Sequence, residues 1–226
     1  RSLYKFKNNN GMGAVNLTYT LSDQHSFALN NVFNSFNRKG SDELFPESDK
    51  YEQPRKNTKN VLGFGYKYSA SEKSNTSVFT KYFSQQNKYS VSYNPSGNWG
   101  DVAYQDQKNS FNKLGYGIAS TYFLKPTLQL KASYEKSYRL PENDELFGDL
   151  LNLDGNIELK PEYSHNYNLG LGYQAQLNQI HKFSFDGSVL YRNAKDFIRP
   201  MLNQNQTKQV MSNVADVTNL GVEGEI

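Results

Sequence analysis

The sequence predicts an all-β fold, an antiparallel up-and-down membrane β-barrel segment of about ten strands with its long loops at one end. Three observations predict it. Apolar and polar residues alternate with period two in run after run, and the connections between the runs are alternately short and long. The chain is also too polar for a core buried on two sides, yet it is rich in rings.

Of the 226 residues 36% are apolar and the mean hydropathy is -0.79, but aromatic residues reach 14%, with 17 Tyr and 14 Phe against one Trp. Rings in so polar a chain need a specific place. With no cysteine, neither a disulfide framework nor a thiolate metal site is available. Lys and Arg number 25 and Asp and Glu 22, interspersed along the chain, so the net charge of +3 is no nucleic-acid footprint. No apolar run approaches the roughly 20 residues of a membrane-spanning helix. The chain begins at Arg1 without a signal peptide, as expected of a cytosolic protein or of a processed or excised fragment.

In order, Val15, Leu17, Tyr19 and Leu21 mark a first strand, which breaks at Ser22 to His25; Phe27, Leu29 and Phe33 mark a second. A charged loop from Arg38 to about Lys59 carries Pro46 and Pro54. Leu62, Phe64, Tyr66 and Tyr68 form the third strand, against Gly63, Gly65 and Lys67. The fourth has two similar faces, Val78, Thr80, Tyr82 and Phe79, Lys81, Phe83, and alternation does not orient it. A polar loop then runs from about Gln85 to Asn109, with a local hairpin at Tyr89 to Tyr93. Leu114, Tyr116, Ile118, Tyr122 and Leu124 make the fifth strand, which turns at Lys125-Pro126-Thr127 into a sixth at Leu128, Leu130, Ala132 and Tyr134.

The connection from Ser137 to Glu162 is the longest that looks ordered. Pro141 suits the first position of a short helix and Gly148 its left-handed end, so Pro141 to Phe147 is expected to form one or two turns. Tyr167, Leu169, Leu171 and Tyr173 follow as strand seven, and Phe183, Phe185, Val189 and Tyr191 as strand eight. Asp196 to Pro200 opens another connection, and Gln209 to Val214 and Leu220 to Ile226 complete the pattern as strands nine and ten.

Every short turn therefore falls at one end of the sheet and every long loop at the other, the asymmetry of outer-membrane barrels. Runs of about ten residues, at roughly 3.3 Å each and a tilt of about 40°, span the apolar band of about 25 Å. Tyr66, Tyr68, Tyr134 and Tyr173 sit near strand ends, as interfacial girdles require. The opposite face carries Gly-x-Gly pairs at Gly63/Gly65, Gly115/Gly117 and Gly170/Gly172, a wall of low relief against which something lies. A soluble sheet would need a second layer over the rings, and no amphipathic helix supplies one.

Tyr138-Arg139-Leu140-Pro141, Glu145-Leu146-Phe147-Gly148, Gly155-Asn156, Leu159-Lys160-Pro161-Glu162, Asn213-Val214 and Gly221-Val222-Glu223-Gly224-Glu225 resemble, in order and spacing, the C-terminal half of a TonB-dependent outer-membrane receptor barrel. The likeness covers roughly residues 110 to 226; the first hundred share only barrel-like texture, and the wealth of Asn, Lys and Tyr resembles Bacteroidetes versions. The resemblance implies a barrel of about 22 strands around an N-terminal plug, placed in the bacterial outer membrane. It also implies import of a scarce nutrient, an iron chelate, cobalamin, oligosaccharide or peptide, driven from the inner membrane through the TonB complex. No plug, no TonB-contacting segment near Arg1 and no aromatic-ended final strand at Ile226 is evident, so residues 1–226 are expected to be part of a larger receptor barrel.

Candidate ligand contacts are the charged Arg139, Glu142, Asp144 and Glu145 of the ordered connection. The competing role is organisation of the loop itself, with the carboxylates at a helix N-terminus and Arg139 paired to them. Trp99 and Tyr104 suit stacking on a sugar, a flavin-like ring or an aromatic siderophore, or packing within their own loop. Asn152, Asp154 and Gly155 miss the calcium-loop pattern, because its first and twelfth positions fall on Leu150 and Pro161. Asp42, Glu43, Glu47 and Asp49 read as solvated, and His25, His165 and His181 join no catalytic set. The expectation is thus a transport receptor that is not an enzyme, with no metal or cofactor. Its partners are outer-membrane lipid, the TonB complex through the plug region, and a small-molecule or glycan ligand, with no nucleic acid. Two other readings stand beside it: a complete ten-stranded outer-membrane barrel, with a membrane protease as one form of it, and a soluble antiparallel adhesin or carbohydrate-binding module.

Overall fold

The computed structural model describes residues 6–40, 55–93, 103–147, 153–176, 182–202, 209–214 and 216–226. Nine strands form one antiparallel sheet in chain order: β1 (Phe6–Thr20), β2 (His25–Gly40), β3 (Arg55–Ser71), β4 (Ser74–Tyr93), β5 (Ala103–Lys125), β6 (Leu128–Arg139), β8 (Glu162–Gln176), β9 (Lys182–Lys195) and β12 (Val217–Glu225). A second sheet of three short strands, β7 (Leu153–Asp154), β10 (Phe197–Leu202) and β11 (Gln209–Val214), lies beside the helix α1 (Asn143–Phe147). Among the described residues β1 pairs only with β2 and β12 only with β9, so the large sheet is open at both edges.

Register gives all nine strands a shared apolar face. One rung runs Leu17, Leu29, Phe64, Thr80, Tyr116, and another Tyr134, Tyr167, Tyr191, Leu220. These side chains stay uncovered: Leu17 is 58% exposed, Leu169 54% and Val222 77%. A water-soluble sheet would not leave such a face bare on every strand, whereas a wall facing hydrocarbon needs it. Rings border this face in two belts. At the short-turn end His25 stacks on Tyr68 and its Nδ1 lies 2.8 Å from the Tyr66 hydroxyl. At the long-loop end Tyr134, Tyr167 and Tyr191 stand side by side, with ring centres 5.0 and 6.0 Å apart.

Register also orients β4: Val78, Thr80 and Tyr82 share the apolar face, while Phe79, Lys81 and Phe83 point to the other side. Phe79 and Phe83 are what lies against the Gly115/Gly117 pair. A Cβ on Gly117 would meet the Phe79 ring and stand 2.7 Å from the Tyr134 carbonyl oxygen, and one on Gly115 would come within 3.2 Å of Phe83. Gly63 is different, with no atom nearer than 3.8 Å.

Two expectations are corrected. The polar stretch from Gln85 to Asn109 is mostly strand: β4 continues to Tyr93 and β5 begins at Ala103, with Tyr89 opposite Gln107 rather than in a hairpin of its own. These strands are 20 and 23 residues long, about twice what crosses a bilayer. Beyond the apolar band the strands face water on one side and water or the inward-folded loop on the other, so backbone pairing persists while the hydropathy alternation vanishes. Likewise β2 runs on to Gly40 and β3 starts at Arg55. The second correction concerns Gln209–Val214, which is not a wall strand but pairs with β10 and β7. Asp196, left-handed at φ 53°, breaks the line between β9 and β10 and turns the chain off the wall.

Candidate functional site

The connection from Leu140 to Pro161 folds back over the polar face at the long-loop end. Leu146, Phe147, Leu159 and Ile198 form a buried cluster, flanked by Phe36 of β2, Tyr89 of β4, Ile157 and Met211. It is the principal apolar core among the described residues. Around it the wall supplies hydrogen bonds to loop carbonyls: Arg55 Nη1 donates to Phe147 O at 2.8 Å, Gln85 Nε2 to Pro141 O at 3.2 Å and Asn109 Nδ2 to Ile157 O at 2.7 Å. A loop buried against a wall carries its own polar backbone with it, and these amides and the guanidinium satisfy it.

The charged centre is Arg139. Its Nη1 donates to both oxygens of Glu145 at 3.0 Å and its Nη2 to Glu162 Oε1 at 2.7 Å. Glu162, opposite Arg139 in register and 3% exposed, also accepts the Ile198 N–H at 2.6 Å. Both residues stand beyond the Tyr134–Tyr167–Tyr191 belt, outside the part of the strands that faces hydrocarbon. Burial pushes the Glu162 carboxyl up, but the bonds from Arg139 and Ile198 outweigh it and hold the group below the usual carboxylate value. The Glu162 bond, against the opposing effect of burial, and the Glu145 pair raise the Arg139 guanidinium above its ordinary value, so it stays charged.

Glu145 also accepts the Glu142 N–H at 2.7 Å, while Leu146 N–H returns to Glu142 O at 3.0 Å. This is the back-reaching half of a capping box, which starts the helix at Asn143 rather than at Pro141. Pro141 is instead fully buried beneath it. On the far side of the loop, Asn213 accepts from Lys160 N–H at 2.8 Å and donates to the Lys160 and Asp196 carbonyls at 3.0 and 2.6 Å. One side chain thereby ties β11, the entry to β8 and the left-handed Asp196 together.

Residues 66–226 match the family model described as "TonB dependent receptor-like, beta-barrel". The chain belongs to the TonB-dependent receptors. Its family members are outer-membrane β-barrel proteins. Three solved structures are similar in fold. The copper transporter OprC superposes with a TM-score of 0.74 at 15% identity, over 98% of this chain and 36% of that one. The FrpB iron transporter from Neisseria meningitidis gives 0.65 at 14%, over 96% and 33%. The Serratia marcescens hemophore receptor HasR, solved with its hemophore and heme, gives 0.63 at 14%, over 98% and 39%. The chain thus spans between a third and two-fifths of the length of these structures. No curated protein sequence matches it. The family and these neighbours are transport receptors.

Within this receptor wall the expected site residues separate. Arg139 bridges Glu145 and Glu162, where sequence reasoning paired it with Glu142 and Asp144. Glu142 instead reaches Lys59 of β3 at 3.1 Å, and it and Asp144 are exposed. Tyr104 lies on β5 opposite Ser92. Trp99, the acidic group Asp42, Glu43, Glu47 and Asp49, His181 and residues 148–152 lie outside the described residues. Glu162 and Lys59 were missed as partners, although Glu162 closes the quoted Leu-Lys-Pro-Glu motif. Also missed were the buried amides Asn57, Gln85 and Asn87, each 1% exposed, where Asn57 Nδ2 donates to Asn87 Oδ1 at 2.6 Å. Only register, which hydropathy does not carry over these polar rungs, brings them under the loop.

Proposed function

We propose that the chain is wall of a receptor that takes up a scarce nutrient across the outer membrane, with ligand met at the long-loop end and import driven through TonB. What supports this is the inward fold of the Leu140–Pro161 connection at the long-loop end, where Glu142 and Asp144 are exposed while Arg139 joins Glu145 and Glu162 to the wall. All 226 residues are read as one stretch of barrel wall, completed by strands and a plug that close its open edges and make the TonB contact. Glu142 and Asp144 are the direct ligand contacts, Trp99 and Tyr104 the stacking surfaces, and Arg139 and Glu145 position the loop. That the similar structures are a copper transporter, an iron transporter and a receptor solved with heme supports a metal or metal-chelate cargo, ahead of cobalamin, an oligosaccharide or a peptide.

The experiment is uptake by a strain lacking the full-length protein, offered labelled ferric chelates, cobalamin, oligosaccharides and peptides. One class is expected to be lost, and to be lost equally when TonB is removed. The Glu142→Gln/Asp144→Asn double variant is expected to lower that uptake at unchanged surface abundance. Uptake of every class at the parental rate in the deletion strain would refute the reading.

A further inference from the structure

The wall beneath the loop carries a knot of three side-chain amides. Asn57 and Asn87 stand opposite one another on β3 and β4, and Gln85 is the next residue of β4 on that face. All three are 1% exposed. Gln85 Nε2 donates to Pro141 O at 3.2 Å and to Asn87 Oδ1 at 3.1 Å, and Asn57 Nδ2 donates to the same Asn87 oxygen at 2.6 Å. One loop carbonyl thereby orients the whole knot. Pro141 O only accepts, so Gln85 turns its NH2 toward it; that NH2 faces the Asn87 oxygen, and the oxygen in turn faces the NH2 of Asn57. Turning any of the amides over would set oxygen against oxygen or NH2 against NH2. Three atoms of the knot remain, Asn57 Oδ1, Gln85 Oε1 and Asn87 Nδ2, each buried and without a hydrogen-bond partner among the described residues.

Buried polar atoms are costly until they are bonded, and the pattern of these three selects what bonds them. Two acceptors and a donor need a partner that gives two hydrogen bonds and takes one. A water molecule does both. The Asn87 NH2 repels a cation, the two carbonyl oxygens repel an anion, and enclosure beneath the loop shuts out larger polar solutes. We infer that Asn57, Gln85 and Asn87 bind one ordered water beneath the loop, through which the wall positions Pro141. The water accepts from Asn87 Nδ2 and donates to Asn57 Oδ1 and Gln85 Oε1, which keeps the Gln85 NH2 turned to Pro141 O. Gln85 is then a positioning residue for the loop entry, where Glu142 O takes the first helical hydrogen bond from Leu146 N–H. The inference stands on the geometry of the wall and holds for any cargo.

The full-length protein tests it, by crystallography at a resolution that shows ordered water and by hydrogen exchange in detergent. In the parent a water is expected within about 3.2 Å of Asn57 Oδ1, Gln85 Oε1 and Asn87 Nδ2. Gln85→Met keeps the length of the side chain but has no amide. It is expected to lose the water and to speed exchange at Glu142 and Leu146 about tenfold, while Lys160, whose N–H is held by Asn213 at the other end of the loop, keeps its rate. Asn87→Asp keeps the shape but puts an acceptor in place of the donor, so the water meets more acceptors than it has protons. It is expected to lose the water and to speed the same exchange about fivefold. Gln86→Met, on the opposite face of β4, is expected to change neither. If a variant does not fold, the parent crystal decides. A cation, a protein group or no density among the three atoms of the parent would overturn the assignment. So would a water kept at the parental position in Asn87→Asp with parental exchange, or equal acceleration at Lys160.

Discussion

Gly117 and Gly63 occupy similar places in the sequence pattern, yet the structure gives them opposite tolerance. Gly117→Ala drives a methyl into the Phe79 ring and the Tyr134 carbonyl, and is expected to destabilise by about 1–3 kcal/mol. Gly63→Ala has room and restricts the unfolded chain, so its effect should lie between neutral and about 1 kcal/mol stabilising. Unfolding of both variants in detergent by urea compares them directly. Glu162 gives a pH signature. Because its folded carboxyl is held below the ordinary value, its contribution is complete at neutral pH, above the unfolded value, and is lost as pH falls through the folded one. Hydrogen exchange at Ile198 should therefore accelerate in acid in the parent, whereas Glu162→Gln should already exchange faster at neutral pH and respond less to acid. The carboxylate motif was readable in the sequence, but its partner was not, since Arg139 and Glu162 meet only through strand register.

At the scale of elements, the Leu140–Pro161 connection is a small packed unit set on a wall. Leu159 is fully buried at its centre, and Leu159→Ala is expected to weaken docking of the loop by about 2–4 kcal/mol through the cavity it leaves. Limited proteolysis should then cut within residues 140–161 while the strands below stay protected; an unchanged cleavage pattern would show that the hydrogen bonds from Arg55, Gln85 and Asn109 hold the loop without its apolar centre. The short helix was legible in outline from Pro141 and the acidic residues after it. Its start was not, because Glu145 caps Glu142 only once Arg139 has fixed the Glu145 carboxylate in place. Similarly, Gln209–Val214 alternates like a wall strand, and nothing in its own residues tells that Asp196 has already turned the chain aside.

At the scale of the whole molecule, the described residues form an open wall, and in hydrocarbon each unpaired edge amide costs several kcal/mol. Residues 1–226 hold no cysteine, so no native thiol of this stretch competes with engineered pairs that report its closure. In the full-length protein Leu17→Cys with Leu29→Cys, opposite one another in register, should cross-link on oxidation, whereas Val15→Cys with Val222→Cys should not. A cross-link in the second pair would favour a self-closed barrel of this chain alone. The sequence by itself determined the class of the fold, the apolar face and the end at which long loops gather, because lipid imposes period-two alternation and interfacial rings on every crossing strand. It could not set the reach of β4 and β5 above the membrane, the face of Phe79, or the partners of Arg139. Those depend on cross-strand register and on a loop that folds inward, and where both faces of a strand meet water or protein, no alternation in the chain records either.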